Sequence, residues 1–167
     1  FVETEATALA TRPVSKLIYG PNAGRTAIDR MGAVAKAAGI TTTADLIWGL
    51  ADGFEPEWDD HATAIAEGTF PLRIFMIPFE PKLVKEYGSE MLNFLETKRA
   101  EGDDRLNTHG IKYVNDGSYP SMTLVMNEPG YLDDDNAHKG EVPWEDMVER
   151  MLPFWKAGIQ IHSHANG

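Results

Sequence analysis

The chain has 167 residues, enough for one ordinary domain with a sizeable core and too few for two. Its 43% hydrophobic and 25% charged residues are typical of a globular protein in water. The net charge of −11, with no cluster of Lys and Arg, excludes the cationic face that nucleic acids or anionic membranes require. The absence of cysteine excludes disulfides and thiolate metal sites.

The two ends of the chain suggest a piece of a longer protein. It begins with Phe1 and stops directly after a predicted strand that carries histidines. The first residues do not have a signal-peptide pattern, which slightly favours the cytoplasm but leaves the compartment open. Residues 1–24 are expected to form a loop-rich lead-in with a short helix at 4–10, and residues 25–167 to form the main domain.

One pattern recurs along the main domain: a helix, then a glycine, then a strand. Apolar residues at helical spacing predict a first helix over 25–38, followed by Gly39 and a strand at 40–46. A second helix capped by Asp59 and Asp60 leads to Gly68 and a strand at 72–77. A third, capped by Ser89, precedes Gly110 and a strand at 111–114.

The last unit of this pattern begins near Pro143, at a plausible first helical position, and reaches the final strand through Gly158. Pro153 should kink that helix or change its last turn. Four such units without hairpin turns between the strands predict an α/β fold with βαβ crossovers and a parallel sheet.

Two histidines end the last strand. After Ile159 and Ile161 the pattern changes to His162 and His164, which are two residues apart and therefore on one face of a strand. Neutral imidazole is a common ligand of zinc and similar ions, so the pair suggests a metal site. A hydrogen-bonded pair at a sheet edge is the alternative, because two ligands alone do not complete a site.

Lys112 is the anomaly among the predicted strands. It is the second residue of an otherwise apolar run in a sheet that should be buried on both faces, where an ammonium ion is costly. Desolvation lowers the pKa of a lysine and makes its neutral amine reactive. A lysine at the solvent end of the strand, or one paired with a distant carboxylate, is the alternative interpretation.

These motifs together resemble the amidohydrolase superfamily, and most closely the amidohydrolase-3 branch of metal-dependent hydrolases, which includes deformylases of N-substituted formamides. The similar segments are Gly110-Ile-Lys-Tyr-Val-Asn-Asp-Gly-Ser118 and Ala157-Gly158 through His164-Ala-Asn-Gly167. The resemblance runs from about residue 25 onward. It implies about four units, strands two to five, of a TIM (β/α)8 barrel that is incomplete as given.

The resemblance also implies site residues and a cofactor. Lys112 would be carboxylated and, with His164, would bind one or two divalent metal ions, with zinc expected. His162, Asp116, Ser118 and Tyr119 would lie on the substrate side, with a plain Asp-Gly-Ser turn as the alternative for the last three. The first-strand His-x-His pair, the sixth-strand histidine and the eighth-strand aspartate of the family are absent, so no catalytic residue is assigned.

The implied function is hydrolysis of a non-peptide C–N bond in a small-molecule amide, by the full-length protein and not by this chain alone. The rivals are a mononuclear deaminase of the same superfamily and a non-catalytic α/β interaction module. Self-association is left open, because an incomplete barrel has unpaired edges. Three further expectations concern other residues. His61 and His109 should be exposed; Trp48, Trp58 and Trp144 should pack or line a pocket; and the acidic loop 133–135 with His138 should be solvated.

Overall fold

The computed structural model of the chain describes residues 9–14, 20, 22–132, 140 and 145–167. The lead-in helix expected at 4–10 lies mostly outside this range. The helix start expected at Pro143, the acidic loop 133–135, His138 and Trp144 also lie outside the described residues.

Helices and strands alternate through the described part of the chain. In order they are α1 (Ala23–Ala37), β1 (Thr42–Trp48), α2 (Phe54–Ala66), β2 (Arg73–Pro78), α3 (Glu80–Tyr87), α4 (Met91–Glu101), β3 (Leu106–Asn107), β4 (Gly110–Val114), α5 (Met147–Lys156) and β5 (Gln160–His164). The prediction of a mixed α/β fold is therefore confirmed.

All strand pairs are parallel, as the repeated pattern predicts. One sheet has the order β1-β2-β3, and the other pairs β4 with β5. A parallel bridge between Phe79 and Lys112 connects them. Because β3 and β4 are separated only by Thr108 and His109, they act as two parts of one interrupted strand. The described strands do not close into a barrel.

Glycine ends three of the helices in the way the sequence pattern predicts. Gly39, Gly68 and Gly158 have φ values of 76°, 76° and 71°, the left-handed region that side chains other than glycine rarely adopt. Each follows α1, α2 or α5 and reverses the chain toward the next strand. The repeated glycine thus sets the geometry of three helix-to-strand connections.

The core lies between the helices and one face of the sheets. Its centre is an aromatic cluster of Trp48, Phe54, Trp58 and Phe94, with the Trp48 ring 5.3 Å from that of Phe54 and 5.4 Å from that of Trp58. In the described part of the chain, no helix has the length and apolarity needed to cross a membrane.

The first strand and the second helix are displaced from their predicted positions. β1 begins at Thr42, two residues late, because Ile40 belongs to the turn and donates its N–H to Ala35 O at 2.9 Å. α2 begins at Phe54 instead of near Asp59. The Glu57 carboxylate explains this early start, because it accepts four backbone N–H groups of the preceding loop, from Gly49, Ala51, Asp52 and Gly53 at 2.8–3.0 Å.

The sequence pattern missed α3 completely. This helix has only eight residues, and its proline lies in the first turn, where the missing N–H costs nothing. At the other end of the chain, α5 continues through Pro153 to Lys156. Proline therefore marks a helix start in α3 and does not end the helix in α5.

Candidate metal centre

Lys112 is buried within β4. The side chain is 7% exposed, and among the described residues it forms no hydrogen bond or ion pair. Desolvation lowers the pKa of the Lys112 amine below its usual value, because no nearby carboxylate compensates for the loss of water. Lys112 is thus largely buried, as its apolar neighbours predicted, and no carboxylate among the described residues pairs with it.

The register of β4 with β5 places Lys112 and the two histidines on one face. Lys112 pairs with His162, and Val114 pairs with His164. Paired residues of parallel strands share a face, as do residues two apart on one strand. Strand spacing and rise per residue put the Cα atoms of Lys112 and His164 about 8 Å apart. Two long side chains at that separation can reach a common ion.

The imidazole of His162 leans toward the beginning of β4. A Cβ atom on Gly110 would lie 2.6 Å from Cδ2 and 2.7 Å from Nε2 of the His162 ring. The ring therefore occupies space that only a glycine leaves open. His162 is the residue paired with Lys112, but its ring lies beside the residue that precedes Lys112 by two positions.

His164 lies at the carboxyl end of β5 and is exposed. Its Nε2 is 2.8 Å from the Nδ2 of Asn166. The same Nδ2 atom donates to the carbonyl of Gly117 at 2.8 Å. The ring of His164 is therefore connected, through one side-chain amide, to the loop that follows β4.

Asp116 joins the two loops from the other side. Its Oδ1 accepts the N–H of Asn166 at 2.8 Å, and its Oδ2 accepts those of Gly167 at 2.7 Å and Val125 at 3.2 Å. Burial alone would raise the pKa of Asp116, but these three N–H donors outweigh it, and the net effect lowers the pKa. Asp116 is 3% exposed and is held as a carboxylate inside the loops.

Ser118 and Tyr119 occupy the loop after β4. The Ser118 hydroxyl lies 2.8 Å from that of Ser121, and the Ser118 N–H donates to Thr123 Oγ1 at 3.0 Å. The Tyr119 side chain is 67% exposed, with its ring 6.0 Å from that of Tyr131. These contacts form a well-bonded turn, and a substrate-binding role of either residue stays a prediction.

The isolated histidines and tryptophans differ in how exposed they are. The expectation that His61 is exposed is wrong: it is 9% exposed, with Nδ1 2.8 Å from Glu57 O and its ring against Phe70. His109 is exposed, as expected, and its ring is 5.1 Å from that of Phe75. Trp48 packs in the core, and Trp58 packs there and also lines a cavity of about 280 Å³.

Lys112 and His164 fit part of a metal centre. An amine whose pKa is lowered by burial and an imidazole on the same face are suitable donors. The described residues contain no group of three or more histidine and carboxylate side chains that could hold an ion. A cavity of about 270 Å³ lies away from this pair, at the start of α1, where Arg25, Asp52 and Asp60 line it.

No protein-family model and no curated protein matches the chain. Two solved structures do match. An uncharacterized metal-dependent hydrolase from Pyrococcus horikoshii OT3 aligns over 92% of this chain with a TM-score of 0.67 and 19% identity, and one from Pyrococcus furiosus aligns over 86% with a TM-score of 0.65 and 21% identity. The chain has the fold of part of these hydrolases. It spans 30% and 28% of their respective lengths.

Two residues that contact the predicted site, Asn166 and Gly110, were not predicted from the sequence. Asn166 follows His164 by two positions, and that spacing was a usable signal, because the side chain of an asparagine can bond to a neighbouring ring. The role of Gly110 depends on the register of β4 with β5, which no local pattern encodes.

Proposed function

We propose that this chain contributes Lys112 and His164 to the metal centre of a metal-dependent hydrolase that cleaves non-peptide C–N bonds. The observation that carries the proposal is a buried amine with a lowered pKa, one strand away from a histidine on the same face. The amidohydrolase-like motifs and the fold shared with the two hydrolases support it. Closure of the parallel strands into a TIM barrel by further strands belongs to the same proposal.

The proposed role of Lys112 depends on the neutral form of its amine, which the lowered pKa favours. The Nζ lone pair attacks the carbon of carbon dioxide, an N–C bond forms, and one N–H proton leaves to solvent. The product is a carbamate, whose anionic oxygens are ligands that a hard or borderline cation favours. A protonated lysine has no lone pair for this step, so the desolvation that lowers the pKa of Lys112 prepares the amine for it.

A bound divalent ion, with zinc expected, would supply Lewis-acid polarisation of an amide carbonyl and would activate water. His164 would hold that ion from the end of β5. His162 would stand beside Lys112 on the same face, and Ser118 and Tyr119 would border the substrate from the loop after β4. Asp116 would stand on the substrate side of the same loop, where backbone N–H groups occupy both of its carboxylate oxygens.

The test measures metal content and the state of Lys112 together. The chain, and the longest reading frame that contains it, would be purified with zinc and bicarbonate. Native mass spectrometry would then look for one added carbon dioxide, and elemental analysis would count the metal. We expect a modified lysine and bound metal, with both lost in Lys112→Met and kept in Lys85→Met, which removes an exposed lysine.

The other outcomes separate the rivals. One metal with an unmodified Lys112 would favour the deaminase, and no metal in the longer protein would favour the interaction module. We expect the 167-residue chain alone to hydrolyse no N-acyl or N-formyl amide, because the described residues hold only part of a ligand set. Turnover by the isolated chain would contradict that expectation.

A further inference from the structure

The hydrogen bonds of Asn166 determine which of its side-chain atoms faces His164. One atom of its amide is 2.8 Å from both Gly117 O and His164 Nε2. A carbonyl oxygen can only accept, so the atom beside Gly117 O must be the amide nitrogen, which has two hydrogens to donate. The inverted amide would place two acceptor oxygens against each other.

This orientation decides the state of the His164 ring. The amide nitrogen donates one hydrogen to Gly117 O and the other to His164 Nε2, so that ring nitrogen must accept through its lone pair. The single hydrogen of the neutral imidazole is then on Nδ1. In this arrangement neither ring nitrogen offers a free lone pair.

The loop after β4 holds Asn166 in place. Asp116, which is 3% exposed, holds the backbone of Asn166 through Oδ1 at 2.8 Å and that of Gly167 through Oδ2 at 2.7 Å. The adjacent Gly117 holds the Asn166 side chain. Backbone and side chain are thus fixed by consecutive residues, so the amide cannot turn without losing a hydrogen bond.

We propose that Asn166 is a positioning residue that latches His164 closed to metal ions. This inference rests on the proposed function in taking His164 as a metal ligand. An ion at Nε2 must replace the amide hydrogen. An ion at Nδ1 moves the ring hydrogen to Nε2, where it meets the amide N–H. At either nitrogen the Asn166 contact opens first, so the amide governs when His164 becomes a ligand.

The first experiment reads the ring directly and needs no metal. The full chain with ¹⁵N-labelled histidine is observed by NMR at about pH 8.5, where an ordinary imidazole is neutral, and the signal of His164 is assigned by its loss in His164→Gln. We expect His164 to carry its hydrogen on Nδ1. Asn166→Ala should move it toward the Nε2–H form that unconstrained imidazole favours. The control Asn93→Ala, at an exposed position of α4, should leave it on Nδ1.

The second experiment measures metal affinity by titration with Zn²⁺ alone. Removal of a competing hydrogen bond should tighten binding by about three- to tenfold in Asn166→Ala.

A His164 ring with its hydrogen on Nε2 in the unchanged chain would overturn the latch, and so would Zn²⁺ binding that weakens in Asn166→Ala. If Zn²⁺ binds none of the variants while the NMR result is as expected, the latch stands as a fixed tautomer and the metal role of His164 fails. The two proposals are therefore tested separately.

Discussion

At the scale of single residues, Asp116 shows how a buried carboxylate can connect two loops. Its two oxygens accept three backbone N–H groups from two separate segments. A carboxylate that accepts several N–H groups is stabilised in its charged form despite burial. The residue thus connects the loop after β4 to the residues after β5.

Asp116→Asn should destabilise the chain by about 1–3 kcal/mol, because the amide turns an N–H group toward backbone donors. The lowered pKa gives the pH dependence: the contribution of Asp116 is present above the ordinary value of 3.8 and is lost as the pH falls through the lower folded-state pKa. Urea unfolding of the unchanged chain and of Asp116→Asn, measured from pH 7 downward, should show that their difference in free energy of unfolding decreases only below about pH 4.

The exposed Asp104→Asn is the matched control and should change stability little at any pH. If the loss of stability in Asp116→Asn stayed constant down to strongly acidic pH, the carboxylate would contribute through its shape and not through its charge.

At the scale of elements, one buried ion pair connects α3, β4 and α5. Glu80, at the start of α3, is 1% exposed, and its Oε2 lies 2.5 Å from Nη2 of Arg150 on α5. The carbonyl of Arg150 accepts the hydroxyl of Tyr113 on β4 at 2.9 Å. Burial raises the pKa of Glu80, and the nearby Arg150 guanidinium only partly offsets it. Burial, together with the charge of Glu80, also raises the pKa of Tyr113.

Glu80→Gln should change how stability depends on pH. In the unfolded chain Glu80 loses its proton near its ordinary value of 4.5, while the folded chain keeps it to a higher pH. The folded state therefore binds more protons across that window, and the stability that Glu80 contributes falls as the pH rises through it. Thermal unfolding at a series of pH values should show this decline in the unchanged chain and not in Glu80→Gln.

For comparison, Glu96→Gln on the exposed side of α4 should follow the unchanged chain throughout. Equal pH profiles for the unchanged chain and Glu80→Gln would mean that Arg150 fully compensates for the burial of Glu80.

The elements were predictable from the sequence where the spacing of apolar residues and the glycines at helix ends agreed. Gly39, Gly68 and Gly158 marked three helix ends, and β2, β4 and β5 were placed within about two residues. The start of α2 was not predictable by a local rule, because Glu57 acts on a loop that precedes it. For the site, the burial of Lys112 followed from its apolar neighbours, whereas the role of Asp116 depends on contacts with residues far along the chain.

At the scale of the whole molecule, the interruption at Thr108 and His109 divides the strands into two hydrogen-bonded groups. The pairs β1-β2 and β4-β5 are connected by one backbone bridge, between Phe79 and Lys112. Four of the six residues of β2 are buried, while no residue of β5 is buried and α5 leaves Val148 and Trp155 exposed at 76% and 70%. The two groups are therefore expected to differ in local stability.

Hydrogen exchange of the backbone amides should resolve this difference. We expect the amides of β5 to exchange faster than those of β2, because no residue of β5 is buried whereas most residues of β2 are. Mass spectrometry of peptides that contain each strand provides the measurement. A single common exchange rate for β2, β4 and β5 would show that the Phe79 bridge is enough to make the strands open as one unit.

The loop between β1 and α2 has one more consequence, at the rim of the sheet. Glu57 holds this loop through main-chain hydrogens, and none of the loop's own side chains takes part in those bonds. Evolution can therefore exchange the side chains at positions 51 and 52 for almost anything but proline, which would remove a held N–H. The side chains of this loop can therefore vary while Glu57 of α2 keeps its backbone path the same.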